Sequence, residues 1–202
     1  KKANKIITVS EYSKQDIINT YHVNATKIKV THNGIGDFFK PISVIAKQDV
    51  RRKFTSDEYY FLFVGALHPR KNITNLFKAF DLYKTNTKSD IKLLVVGEKY
   101  WWSDDIKNVF ENLVFKNDIV FTGHVQSNEL NEIYGAGLAL IFPSYFEGFG
   151  IPLVEAMKCE LPIVSSNATC LPEIAGDAAI YINPFSVESI TEGLTKIAGN
   201  EE

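Results

Sequence analysis

From Tyr59 onward the sequence alternates short runs of β-branched and aromatic residues with amphipathic stretches at helical spacing, and that alternation leaves few folds open. A helix between successive strands returns the chain to the starting end of the sheet, so the strands pair in parallel. The β-rich runs lie at 60–64, 92–96, 119–121, 138–142, 163–165 and 179–182. Between them, Ile73, Leu76, Phe77 and Phe80 form an apolar helical face behind Asn72, a candidate N-cap. Ile106, Val109, Phe110, Leu113 and Val114 form a second apolar stripe. Ser127 and Ser186 are candidate caps of two further helices, Pro152 opens another, and a short one is expected at 171–175. The expected fold class is α/β: a doubly wound parallel sheet of about six strands, covered by helices on both faces.

The chain of 202 residues, 45% of them hydrophobic, can bury a substantial core. Its formal net charge of −2 argues against a general nucleic-acid binder, which carries a basic excess. No stretch approaches the roughly 20 apolar residues of a membrane-spanning helix. Cys159 and Cys170 have no spacing suited to zinc and are too few for a disulfide scaffold, so inert, reduced thiols of a cytoplasmic protein are expected. Residues 1–40 read as a separate strand-helix-strand unit, with strands at 6–9 and 28–31, a helix capped by Ser10 and a turn at Asn33-Gly34. Residues 41–58, with Pro41 and many charges, read as a linker with a short helix, and 59–202 as the main domain. A start at Lys1 without methionine and a stop after a helical pattern suggest a piece of a longer protein.

In open α/β sheets ligands bind outside the carboxyl ends of the strands. The loop after the run at 138–142 is the richest: Pro143-Ser144-Tyr145-Phe146-Glu147-Gly148-Phe149-Gly150-Ile151-Pro152. Gly148 and Gly150 allow close backbone approach, and a helix opening at Pro152 presents free amides to an anion. Glu147 and Glu155 flank this point; carboxylates beside an anion site suit neutral hydroxyls, so the ligand expected carries both phosphate and sugar hydroxyls. Taken alone, Glu155 could equally complement a helix dipole and Glu147 be a solvated loop charge. After the strand at 60–64, Gly65 leads into His68-Pro69-Arg70-Lys71-Asn72, where two adjacent cations suit a diphosphate without a metal. Asp104-Asp105 after Ser103 fits a helix start better than a metal pair, and Tyr100, Trp101 and Trp102 read as a packing cap over the sheet edge. No G-x-G-x-x-G follows the first strand of the main domain, which disfavours a nicotinamide-dependent enzyme.

Together these segments resemble the donor-binding, C-terminal half of a family 4 (group 1) glycosyltransferase with the Rossmann-like GT-B fold. The resemblance rests on Thr31-His32-Asn33-Gly34-Ile35, Phe63-Val64-Gly65, Pro69-Arg70-Lys71-Asn72 and Phe121-Thr122-Gly123-His124-Val125. Its most specific parts are Glu147-Gly148-Phe149-Gly150-Ile151-Pro152 and Glu155-Ala156-Met157, with seven residues between the two glutamates, followed by Leu171-Pro172-Glu173. It implies that Glu147 meets hydroxyls of the transferred sugar and Glu155 the ribose. Arg70 and Lys71 would hold the diphosphate, helped by Gly65, Gly148 and the amides of Phe149, Gly150 and Ile151, while Gly123, His124 and Val125 lie against the nucleobase. Glu147, Arg70 and Lys71 are the implied catalytic residues.

The implied reaction is retaining transfer of a hexose from a nucleotide-diphosphate sugar to a hydroxyl acceptor in polysaccharide or glycoconjugate synthesis, with no cofactor and no metal. The Pro-Arg-Lys-Asn loop resembles that of mannosyltransferase-like enzymes, so GDP-mannose is the first expected donor. The acceptor, a sugar or lipid-linked chain, would bind a missing N-terminal domain of which 1–40 are the last unit, and the full-length protein would sit in the cytoplasm or at the inner membrane face. The fragment alone is expected to bind donor weakly and transfer little. A non-catalytic nucleotide-binding module and a GT-B sugar-nucleotide epimerase or phosphorylase are the alternatives. Two local departures stand out: Ala66 where an arginine is common, and Glu160 where a glycine is usual. A left-handed residue there would cost about 1 kcal/mol, which suggests an altered turn.

Overall fold

The computed structural model describes residues 3–98 and 102–199; Tyr100 and Trp101 lie outside the described residues. The first unit comprises β1 (Ile6–Thr8), α1 (Glu11–Tyr21) and β2 (Ile28–Val30), with β1 and β2 paired in parallel. Ser10 caps α1 as expected, its side chain accepting from Ser13 N–H. Then α2 (Val44–Thr55) starts behind Ser43 and runs for 12 residues. The charged composition of 41–58 hides an apolar side: Val50 is buried and Phe54 packs against the core, so most of this stretch is a helix packed against the sheet assembly.

The main sheet contains β3 (Tyr60–Val64), β4 (Lys92–Val96), β5 (Ile119–Gly123), β6 (Ala139–Phe142), β7 (Ile163–Ser166) and β8 (Ala179–Ile182). All pairings are parallel, and the order is β5-β4-β3-β6-β7-β8. The helices are α3 (Ile73–Thr87), α4 (Asp104–Glu111), α5 (Ser127–Ala136), α6 (Ile151–Lys158), α7 (Leu171–Ala175) and α8 (Val187–Ala198). Period-two alternation in the strands divides the core. Phe61 and Phe63 of β3 join Leu76, Phe77 and Phe80 of α3 and Leu194 of α8; Tyr60 and Leu62 join Ile133 and Tyr134 of α5 and Leu153 of α6. Both faces are therefore covered, as the alternation of strand and helix requires.

Several local expectations change. Val114 is 76% exposed, because α4 ends at Glu111 and the chain turns; the apolar stripe stops at Leu113. Ser127 is the first helical residue of α5, with Gln126 in the cap position. Asn72 precedes α3 in a left-handed conformation but makes no side-chain cap; its amide is used across the sheet edge instead. Glu160 keeps the left-handed conformation, φ 56°, so the turn after α6 is not altered and the residue carries the strain of about 1 kcal/mol itself. Trp102 packs edge-on against Phe110 and Phe121, and Ser103 caps α4 with Asp104 and Asp105 in its first turn. Cys159 and Cys170 are free and buried, and burial pushes each thiol up to about 11. No helix among the described residues is long and apolar enough to cross a membrane.

Gly193 of α8 sits directly on the sheet: an added Cβ would lie 2.7 Å from Ile182 and 2.8 Å from Val164. Gly193→Ala is therefore expected to lose stability, since overpacking of about 1–3 kcal/mol exceeds the helix-propensity gain of about 1 kcal/mol. A lowered urea midpoint with an unchanged slope would confirm it, whereas a raised midpoint would mean that α8 can shift outward.

Candidate functional site

The strand order places a topological switch between β3 and β6: the chain builds outward from β3 to β5, then returns to β3's other side. The loops leaving β3 and β6 thus flank one crevice. They are stitched together. Tyr145 N–H donates to Arg70 O at 2.9 Å, and Asn72 Nδ2 donates to Pro143 O at 3.0 Å and to Pro184 O, beyond β8, at 2.7 Å. Beside them, Gly97 passes so close to the Gly65 carbonyl that a Cβ would lie 2.1 Å from it; with φ 145°, only glycine fits.

Arg70 and Lys71 lie in one 3-10 turn, Pro69–Lys71, whose start is capped by His68 Nδ1 accepting from Arg70 N–H. Both cations meet Glu147. Lys71 Nζ is 2.7 Å from Oε1 and an Arg70 guanidinium nitrogen is 2.8 Å from Oε2. Oε1 is buried, and the Lys71 ammonium holds it at close range. The Lys71 and Glu147 side chains are only 10% and 8% exposed, against 45% for Arg70. Burial pushes the Lys71 ammonium below its ordinary range, and the Glu147 charge pulls the other way. Phe142 supplies a ring face 4.7 Å from Nζ, and Arg70 also donates to Phe146 O at 3.2 Å.

The loop of Glu147 leads into α6. Gly150 precedes the helix with φ 93°, a conformation that exposes the first-turn amides; Pro152 lacks one to satisfy. Among the described residues, the N–H groups of Phe149, Gly150 and Ile151 have no protein acceptor. Glu155 lies one turn along α6, half-buried, and is not part of the charge cluster. It accepts from Tyr134 OH of α5 at 2.6 Å. Burial raises the Glu155 carboxyl above its ordinary value, opposed by the Tyr134 hydrogen bond, and burial with the Glu155 charge keeps the phenol proton in place.

At the other end of the crevice, Gly65, Gly97, Glu98, His124, Val125 and Leu130 line a hollow of about 290 Å³; Gly123, which closes β5, adjoins it. His124 is exposed there. A larger hollow of about 710 Å³ belongs to the β1–α1–β2 unit and includes no carboxylate among its lining residues. Among the described residues, no cluster of three or more His, Cys, Asp or Glu side chains is arranged to hold a metal ion.

The geometry thus brings Arg70, Lys71 and Glu147 into contact, ranges Gly148, Phe149, Gly150 and Ile151 beside them, and separates Glu155 onto its own partner. A family model for glycosyl transferases, group 1, matches residues 45–202. The chain belongs to the group 1 glycosyltransferases. O-antigen chain mannosyltransferase B of Escherichia coli is 33% identical over 190 residues, covering 94% of this chain and 50% of that protein. O-antigen chain mannosyltransferase RfbU of Salmonella typhimurium is 30% identical, covering 98% of this chain and 52% of that protein. This group 1 chain therefore spans about half the length of the curated relatives it matches. Its fold is shared with Anabaena HepE, solved in complex with UDP and glucose: TM-score 0.87 at 20% identity, covering 98% of this chain and 54% of HepE.

Sequence reasoning missed Tyr134 as the partner of Glu155, and Glu98 in the hollow. No motif signals either; Tyr134 was readable only as a core residue of α5. The Glu155 environment generates a prediction. Its folded-state value is raised, so the folded protein holds this proton longer than the unfolded chain, and stability is lost as pH rises through that interval. Glu155→Gln is expected to be at least as stable as the wild type at neutral pH, with the advantage shrinking on acidification toward the ordinary glutamate value. Urea midpoints at neutral and mildly acidic pH measure this; a variant less stable at neutral pH contradicts it.

Proposed function

We propose that this chain is the donor-binding part of a retaining glycosyltransferase that uses GDP-mannose in the synthesis of a surface polysaccharide. The observation that carries the reading is the Arg70–Glu147–Lys71 cluster at the switch point, beside the three amides without acceptors. The cluster carries a net charge of +1 and its Lys71 and Glu147 are largely shielded from water, so a diphosphate gains charge-assisted hydrogen bonds there without a bound metal. Arg70 and Lys71 turn from Glu147 to the phosphates, and the released carboxylate accepts from hydroxyls of the sugar. Glu155, with Tyr134 already donating to one oxygen, accepts a ribose hydroxyl through the other. The hollow at His124 and Val125 takes the base.

In the transfer step the bond from the anomeric carbon to the diphosphate oxygen breaks, and a bond to the acceptor oxygen forms on the same face. The acceptor's proton passes to the leaving diphosphate, whose charge Arg70 and Lys71 neutralise. The acceptor, a sugar or lipid-linked chain at the cytoplasmic face of the membrane, binds a domain outside this chain, which alone holds donor weakly and transfers little. Names of the relatives, mannosyltransferases of O-antigen chains, support the choice of sugar.

Calorimetric titration with GDP, UDP, ADP and their sugar conjugates tests the reading. Saturable binding of the guanine series is expected, weakened about tenfold or more in Lys71→Ala and in Glu155→Ala, consistent with loss of one charge-assisted hydrogen bond. Preference for uracil or adenine would replace the donor, and a folded chain that binds none would overturn the site. Glu147→Gln gives a contrasting result: freed cations hold GDP at least as tightly as the wild type, but preference for GDP-mannose over GDP is lost. Weakened GDP binding by a folded Glu147→Gln protein would contradict the exchange of partners.

A further inference from the structure

The β1–α1–β2 unit touches the donor loop through an arrangement that neither strand pairing nor core packing demands. Ser10 Oγ lies 2.8 Å and Ser13 Oγ 3.1 Å from Gly148 O, each within reach to donate to it, and the two hydroxyls are 3.0 Å from each other. From α7, the Glu173 carboxylate accepts from Glu11 N–H at 2.8 Å and from Tyr12 N–H at 3.1 Å. With Ser13 N–H donating to Ser10 Oγ, the first three amides of α1 are all satisfied, two of them by a charge from another element. His32, after β2, brings its Nε2 to 3.3 Å from the same Glu173 carboxylate and its ring to 5.8 Å from the ring of Phe149. The hydrogen bonds from Glu11, Tyr12 and His32 outweigh partial burial and hold the Glu173 carboxyl below its ordinary value.

A trans peptide unit points its C=O and its N–H in opposite directions. Two hydroxyls that draw Gly148 O toward α1 therefore turn the Phe149 N–H away from α1, and that N–H is one of the three without a protein acceptor. Loops left free sample many peptide orientations, and fixing one in advance removes an ordering cost from binding. We propose that Ser10, Ser13 and Glu173 are positioning residues that lock the Gly148–Phe149 peptide with its amide turned toward the donor's diphosphate. Glu173 seats the start of α1, and the two serines of α1 seat the loop. The inference rests on the donor-site reading above and extends it to residues that touch no donor atom.

Titration of the isotope-labelled chain with inorganic pyrophosphate tests it without depending on the base. Amide resonances of Phe149 and Gly150 are followed, and exchange of the amides at 146–151 is measured in the ligand-free protein. Pyrophosphate is expected to shift the Phe149 amide saturably. In Ser13→Ala, in Ser10→Ala/Ser13→Ala and in Glu173→Gln, the midpoint rises about fivefold or more and loop exchange speeds about tenfold, while exchange in β3 and β4 is unchanged. Ser13→Thr, which keeps the hydroxyl, retains most of the wild-type behaviour. Ser10 also caps α1, so Ser13→Ala and Glu173→Gln carry the test if the double variant does not fold. A wild-type midpoint and wild-type loop exchange in a folded variant overturn the inference and leave the donor site standing. No Phe149 response to pyrophosphate in the wild type overturns the donor site and the inference with it.

Discussion

A lysine and a glutamate buried together at the carboxyl edge of a parallel sheet set the terms for everything around them. Taking either ion out of water alone costs several kcal/mol, so Lys71 and Glu147 must keep each other or a substitute. The pair brings two loops face to face: the 3-10 turn after β3 supplies the cation, and the loop after β6 supplies the anion. Arg70, more exposed, adds a second positive charge that the one carboxylate cannot neutralise. The one uncompensated positive charge favours an anion, and the function proposed above has the cations exchange partners with it.

Such an exchange needs a frame that does not collapse when the ion pair opens. Asn72 provides part of it. By giving up a helix-capping role to donate to carbonyls beyond β6 and beyond β8, it ties three strand exits together. The close passage of Gly97 beneath Gly65 fixes the floor between β3 and β4. None of these anchors involves the Arg70, Lys71 or Glu147 side chains, so none depends on their ion pairs. The β1–α1–β2 unit closes the frame from the other side, through Ser10, Ser13 and Glu173.

The sheet was legible because burial on both faces demands near-continuous apolar runs, and β3, β4 and β6 have them. The cluster was legible residue by residue, since glycines, a proline and charges at strand ends are local signals. Its internal bonding was not. The order of residues shows Arg70 beside Lys71, but the pairing of both with Glu147 depends on β3 and β6 being neighbours across the switch, a long-range fact. Equally, Asn72 reads as a helix cap by type and position, but its backbone is left-handed and its Nδ2 is anchored to two carbonyls from distant loops, which leaves Oδ1 capping nothing. The helix α2 was obscured by its charges: an apolar side carried by Val50 and Phe54 is a weak period signal among lysines and arginines.

Glu147 and Glu155 sit on one loop and helix, yet their surroundings differ. Glu147 lies between two cations, Lys71 at 2.7 Å from one oxygen and Arg70 at 2.8 Å from the other. Glu155 forms no ion pair among the described residues; Tyr134 donates to it, and burial works against its charge. A buried carboxylate with one neutral donor is under-satisfied and gains from another hydroxyl, as a ribose offers. The seven-residue spacing matters because it carries the second glutamate past the start of α6 into the reach of α5, where a phenol donates to it. The same residue type is thereby given two surroundings: a pair of cations at the loop, and a neutral hydroxyl donor at the helix.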